Sequence, residues 1–369
     1  YEMLRSLVGS EMCIRDRLYF PHVTQGPIAR YEEVGYQLWE EHSFNMDTIM
    51  RGVWLMLWGF VKKIVIADRI GAFTKEIFGH TFDYHGGIFL AVGIAYSIQI
   101  YCDFSGCMDI VRGTSECFGI VLGENFRRPY FSQTLPEFWR RWHLSLGAFF
   151  REYVFYPVST SKLFLKLNVK IRDHLGNVIG KVFAASIPIL CVWVLTGLWH
   201  GAKWNYIAWG LYHGVLICMS TLFEEPLAKL TKALRIKTDC ISWEIFRMLR
   251  TFILCVIGRL IFMGQGIRSS IWMIRSMVFD HSRVYNIVDE FSLSGREWRV
   301  LIFGCLLLLA VSIAQEIMER RGSTGDVREW LAKQNIVFKW LVMAAGLAFI
   351  AICGVYGSGA GASFIYEQF

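Results

Sequence analysis

Charge is scarce in this 369-residue sequence: Asp, Glu, Lys and Arg make up 19% of it, against 54% hydrophobic residues. That balance, with a mean hydropathy of +0.38, lies outside the range of soluble domains. There is no Cys-x-x-Cys pair among the ten cysteines, which are scattered singly, so neither a zinc ribbon nor a dithiol redox motif is supported. Even Cys102 and Cys107, close in sequence, read as packing residues. The histidines lack ligand spacing, since His200 and His213 are too far apart to grip one ion from one helix face, and no metal site is expected. No G-x-S-x-G occurs, so nothing points to a serine nucleophile. Internal repeats and low-complexity tracts are also missing. The net charge of +7 alternates with apolar runs rather than gathering in one basic domain, which argues against nucleic acid as a partner.

What the chain does contain is a series of uncharged runs near the roughly 20 residues that a bilayer span requires. They are Tyr84–Cys102, Val182–Trp199, Trp204–Phe223, Val300–Gln315 and Trp340–Tyr366. Thr251–Ile267 is a sixth, interrupted by Arg259 alone. Asp47–Asp68 is apolar but broken by Lys62 and Lys63, and it tilts, lies in the interface or ends there. With 14 Trp, 15 Tyr and 28 Phe available for interfacial belts, the fold class is an all-α polytopic membrane protein. The densest positive block, Arg127 to Arg172, is expected on the cytoplasmic side, with Lys162–Arg172 as a basic loop. Phe279–Arg299 reads as a surface loop.

Residues 1–17 are set apart. Leu7–Arg17 spells LVGSEMCIRDR, which reads as the translation of a library adaptor, so this stretch is excluded as an artefact and natural sequence is expected from Leu18. Residues 18–369 are then read as one membrane domain.

The connector Asp103–Pro157 is too polar to span and too aromatic to be a free loop. Helical phase fits Pro136–Phe150 as one amphipathic helix, with Thr134 as N-cap and Pro136 in the first turn. Phe138, Trp142, Ser145 and Phe149 then share a face, in a segment that lies in the interface or enters the membrane partway.

Ionisable groups at membrane depth are costly and face a cavity, a partner or a pathway. His200 lies between two apolar runs and is flanked by Gly197 and Gly201, which allow a helix break and close backbone approach. His143, in the amphipathic segment, is open to a structural or a functional reading. His213, mid-span, and Asp103, as a cap or an arginine partner, read as structural. A neutral imidazole in a poorly solvated cavity is well suited to accept a proton from a hydroxyl as its oxygen attacks an acyl carbon.

Five stretches occur in order: FPHVTQGPIARY, YCDFSGCMDI, ENFRRPYFSQTLPEFWRRWHLSLGAFFREYVFYP, TGLWHGAKWNYIAWGLYHG and the terminal FIYEQF. Together they resemble the membrane-bound O-acyltransferase (MBOAT) family, in particular its bacterial branch with the alginate O-acetylase. The resemblance implies a ring-like helix bundle with interfacial or re-entrant helices, a tunnel between the two membrane faces, and earlier spanning helices missing here. It implies that His200, in the W-H-G context, and His143, in the R-W-H segment, are the catalytic pair. It gives His213 no catalytic counterpart. One departure is YPVST, where the family more usually has IPLGG.

The function so implied is O-acylation in the bacterial inner membrane. An acyl group, expected to be acetyl, moves from a cytoplasmic thioester (acetyl-CoA or a carrier-protein thioester) to an extracytoplasmic polysaccharide, with no bound cofactor. An extracytoplasmic esterase-like or acetyltransferase partner is expected to complete the transfer. The alternative within the family is D-alanyl transfer to teichoic acid; outside it, a transporter or channel in which buried His and Asp carry protons.

Overall fold

The computed structural model describes residues 19, 21, 26–280, 282, 285–323 and 326–356. The adaptor-like stretch and the terminal FIYEQF lie outside the described residues. Those that are described form helices and connectors with no strand among them, only an isolated bridge between Phe126 and Trp142.

In chain order the helices that matter are α1 (Met46–Phe60), α2 (Asp68–Gly79), α3 (Ile88–Cys117), α4 (Leu135–Trp139), α5 (Leu144–Phe150) and α6 (Lys162–Leu175). They are followed by α7 (Asn177–His200), α8 (Trp204–Leu222), α9 (Ile241–Met263), α10 (Ile267–Phe279), α11 (Gly295–Arg320) and α12 (Ile336–Cys353). Among the described residues four helices are long and apolar enough to cross a membrane: α3, α7 from Gly180 onward, α11 and α12. α8 joins them when taken with Glu224–Ala233, across a 56° bend. α9 has the length, but Arg247, Arg250 and Arg259 interrupt it.

α3 and α11 extend beyond their uncharged runs because a helix continues until its backbone is capped, not until its side chains turn polar, whereas α12 (Ile336–Cys353) covers only part of the run Trp340–Tyr366. α3 starts at Ile88 and runs on through Asp103 and Asp109 to Cys117. α11 starts at Gly295 on a capping box, in which Ser294 and Glu297 each accept a backbone N–H of the other. Its start falls inside the segment expected to be a loop.

The chain divides into two compact units. The first takes its described residues from Tyr1–Lys75, Ala95–Asn125 and Asn286–Gln368. Here a π-helical stretch, Val61–Ala67, continues α1 into α2, so Lys62 and Lys63 do not end the helix. The wider turn carries both lysines inward, where Lys62 Nζ meets Asp109 Oδ2 at 2.6 Å. Lys63 Nζ meets Asp103 Oδ1 at 2.6 Å and Asp68 Oδ1 at 2.9 Å. Asp103 is therefore structural, as expected, but as a mid-helix partner of a lysine rather than as a cap. Glycines seven apart on both helices let α1 and α3 approach: a methyl at Gly52 would stand 2.5 Å from the Gly113 carbonyl oxygen, and one at Gly59 2.5 Å from that of Gly106.

The second unit takes its described residues from Glu76–Ile94 and Phe126–Tyr285. Its centre is the antiparallel pair α7 and α8, joined by only three residues, with α6 against α7, and α9 against α8. The expected helix Pro136–Phe150 is two helices. Thr134 caps α4 through its hydroxyl, which accepts the N–H of Glu137 at 3.2 Å, as expected. The chain then breaks at Arg140–His143 before α5 begins. Phe138 and Trp142 are buried, but Phe149 is exposed, so the anticipated common face does not form. The basic Lys162–Arg172 stretch is also no loop: Ser161 accepts the N–H of Phe164 and starts α6, whose last turn holds Arg172 and His174. YPVST belongs to a further short helix, Tyr156–Thr160.

Candidate functional site

The second unit brings His143 and His200 together through features that local sequence specifies only in part. Gly201 ends α7 directly after His200, adopting φ 143°, a region open to glycine, while its N–H donates to the Leu198 carbonyl at 3.1 Å. Lys203, in extended geometry, then starts α8. This tight reversal is possible because α7 and α8 touch backbone to backbone. A methyl at Gly197 would stand 2.5 Å from the carbonyl oxygen of Tyr206, and one at Gly210 would run into that of Trp193. His200 thus sits at the end of a span, pinned by a close helix contact one turn away.

Around its ring is an aromatic cage. Trp199, Phe262 and Trp209 meet it edge-on with centroids 4.8, 5.0 and 5.2 Å away, and Tyr206 lies at 6.4 Å. Trp199 is shared, since its ring is also 6.2 Å from that of His143.

His143 occupies a left-handed backbone conformation, φ 50° and ψ 55°, at the N-cap of α5. For a non-glycine residue this costs roughly 1–2 kcal/mol. Long-range pairing enforces it: the Arg127 N–H donates to the Arg141 carbonyl at 2.9 Å, and Phe126 packs edge-on against Trp142 at 5.0 Å. Arg141 is also tied back to Glu137 at 2.9 Å. The His143 ring is buried, which pushes its pKa down to about 3, and the neighbouring His200 adds to the shift. It is held as a neutral imidazole.

His213 is apart from this pair. Buried on α8, it accepts the indole N–H of Trp139 at 3.3 Å and lies among the rings of Trp139, Trp209 and Trp193 at 4.9, 5.3 and 5.4 Å. It is a buried, hydrogen-bonded histidine.

Sequence reasoning passed over Arg259. It is 4% exposed on α9, stacked over the Trp142 ring with its Cζ 4.4 Å from the centroid. Among the described residues no carboxylate pairs with it, and its buried Nε and Nη2 find no hydrogen-bond acceptor. Cation–π stacking returns about 0.5–2 kcal/mol, against several for desolvating an ion, so the site holds an uncompensated charge. The clue was available, since a single arginine inside an apolar run is a functional candidate by default.

The sequence profile of the membrane-bound O-acyltransferase family matches residues 17–171, a stretch that includes His143. The chain is 29% identical over 306 residues to a probable alginate O-acetylase of Pseudomonas syringae, covering 83% of this chain and 53% of that protein. To its counterpart in Pseudomonas aeruginosa it is 30% identical, over 80% of this chain and 51% of the relative. This chain belongs to the membrane-bound O-acyltransferase family. Other members are also similar to it: a teichoic acid D-alanyltransferase of Bacillus subtilis is 29% identical over 56% of this chain and 51% of its own. The chain spans about half the length of the curated relatives it matches. Within the family frame, the imidazoles of His143 and His200 share one aromatic wall, whereas His213 belongs to the packing behind it.

Proposed function

We propose that this protein is an O-acyltransferase of the bacterial inner membrane, which transfers an acetyl group from a thioester to a hydroxyl of an extracytoplasmic polysaccharide, with His200 as general base. The observation that carries the reading is His200 itself: an imidazole at the end of a span, caged by Trp199, Trp209 and Phe262, with buried His143 one ring away. The aromatic rings make the surroundings of the imidazole apolar on the Trp209 and Phe262 side, while Trp199 is exposed.

In the proposed step His200 accepts the acceptor's hydroxyl proton while that oxygen attacks the thioester carbonyl carbon. The new C–O bond forms and the carbonyl π pair moves onto its oxygen. When the carbonyl reforms, the C–S bond breaks and the thiolate takes the proton from His200, so that ester and thiol are the products. His143, neutral and in contact with the shared Trp199, is proposed to hold the reactants against His200. The donor enters from the cytoplasm, on the side of the basic helix α6. An extracytoplasmic esterase-like partner completes delivery to the glycan.

His200→Ala in native membranes tests the assignment, with acetyl-CoA consumption and glycan acetylation followed together. Loss of a general base removes about 10²–10⁴ in rate, so turnover near background is expected at unchanged protein yield. Near-normal turnover would return His200 to a packing role. The similarity to the teichoic acid D-alanyltransferase supports a second reading, a D-alanyl donor on a carrier protein; acyl transfer from that thioester but not from acetyl-CoA would select it.

A further inference from the structure

The charge on Arg259 has no use in the proton transfer just described, and its placement is specific. Gly258, one residue before it, packs so closely on α8 that a methyl there would lie 2.6 Å from His213 Nε2. Phe262, one turn after it on the same face, is the cage residue whose ring meets His200 at 5.0 Å. The guanidinium itself lies over the ring of Trp142, the residue that precedes His143. Its neighbours along the helix and across it thus include Phe262 of the His200 cage and Trp142 next to His143. Nitrogens of this kind, buried with no acceptor among the described residues, are placed to donate to an oxygen from outside the chain.

We propose that Arg259 is a catalytic residue whose guanidinium receives the carbonyl oxygen of the acyl thioester and stabilises the negative charge that develops there. The inference rests on the acyl-transfer reading. When the acceptor oxygen bonds to the carbonyl carbon, the π electron pair passes to the carbonyl oxygen beside Arg259 Nε and Nη2. When the C–S bond breaks, that pair returns and the thiolate leaves with the proton held by His200. The guanidinium gains and loses no proton in either step. A fixed cation in a water-poor site does this better than a mobile one, because no solvent need reorganise as charge develops. The Trp142 ring supports the guanidinium from one side, and Nε and Nη2 have no acceptor among the described residues.

The test uses Arg259→Met, Arg259→Gln and Arg259→Lys in full chain held in native membranes, with ¹⁴C-acetyl-CoA as donor. Release of free CoA gives kcat and KM, and thermal melting after detergent extraction reports the fold. The expected result for Met and Gln is a loss of about 10²–10³ in kcat, the usual effect of removing one oxyanion donor. KM should hold within about threefold. Melting temperatures should stay level or rise, since an uncompensated buried charge has been removed. Lysine should regain part of the rate. A kcat within about threefold of wild type in Met or Gln, or a loss confined to KM, overturns the proposal. So does a lysine variant no better than methionine. Were methionine poorly folded, glutamine, which keeps polarity without charge, carries the same expectation. Wild-type and His200→Ala controls separate the two levels: turnover retained in His200→Ala defeats the acyl-transfer mechanism, whereas turnover retained only in the Arg259 variants defeats this inference alone.

Discussion

Gly197→Ala should damage catalysis far more than stability. The added methyl would stand 2.5 Å from the Tyr206 carbonyl oxygen and 3.0 Å from its carbonyl carbon, both backbone atoms of α8 that cannot swing aside. Ordinary contact begins at 3.4 Å, so the two helices must part by about 0.9 Å or α7 must rotate. Overpacking of this sort costs about 1–3 kcal/mol. Alanine is favoured over glycine inside a helix by about 1 kcal/mol. The net cost is therefore about 0–2 kcal/mol, which a polytopic bundle survives. The site is less forgiving, because Gly197 lies one turn before His200, and the rings that cage His200 come from α8 and α9 as well as α7. A misplacement near 1 Å in a catalytic group costs on the order of 10² in rate. We expect protein yield and melting temperature close to wild type and acetyl transfer reduced about a hundredfold. Both are to be measured on the same membranes, with thioester consumption as the rate. An alanine variant transferring acetyl within about threefold of wild type would refute the claim that this contact sets the position of His200.

Two further expectations concern buried groups. His143 has a pKa of about 3 when folded against 6.5 for the free side chain, with burial as the main cause and His200 as the second. The unfolded chain therefore binds the proton more readily, so this contribution to stability is whole above pH 6.5 and is lost progressively towards pH 3, by up to about 1.4 kcal/mol per unit. Detergent-extracted protein should melt at falling temperature below pH 6.5, and His143→Asn should flatten that slope relative to wild type; an unchanged slope would show that His143 is not the group responsible. In the first unit, Asp103→Leu leaves Lys63 buried with Asp68 as its remaining carboxylate and should cost about 3–5 kcal/mol, while Lys63→Met combined with Asp103→Leu should recover most of it. A double variant as unstable as the single one, by thermal melting, would mean that the pair is not the reason for the loss.

Fold class was readable because burial in lipid leaves a compositional mark: long uncharged runs mark α3, α7, α8, α11 and α12 before any packing is considered. Local capping was readable too, as at Thr134, because a hydroxyl, its acceptor geometry and the proline that follows lie within four residues. What was not readable depends on partners far along the chain. Lys62 and Lys63 resembled the end of a helix until Asp109 and Asp103, forty or more residues on, neutralised them within it. Helical phase ran straight through Trp142 and His143, yet the backbone breaks there because Phe126 and Arg127 pair with that strip from outside the segment. Periodicity reports which face a residue would take on an ideal helix. It has no access to a bridge that makes the helix stop.

The buried lysines Lys62 and Lys63 are treated differently from Arg259, and the contrast bears on function. Lys62 and Lys63 each sit against a carboxylate at 2.6 Å, and Arg69 donates to the backbone carbonyls of Val65 and Cys353. The two lysines are compensated by carboxylates where they stand, as a purely structural role requires; Arg69 has two backbone acceptors, although its Nε finds none among the described residues. Arg259 is buried as deeply, and among the described residues it meets the face of Trp142 and no carboxylate. If packing alone were at stake, leucine or methionine at this place in α9 would fill similar volume without the desolvation cost. Retaining a guanidinium there leaves the empty fork destabilising until an oxygen arrives. That oxygen gains more from the fork as its negative charge grows, which is the condition for lowering a barrier rather than merely tightening binding. Lys62 and Lys63 are each held against a carboxylate; Arg259, with none among the described residues, lies on Trp142 next to His143, and the proposed role rests on that difference.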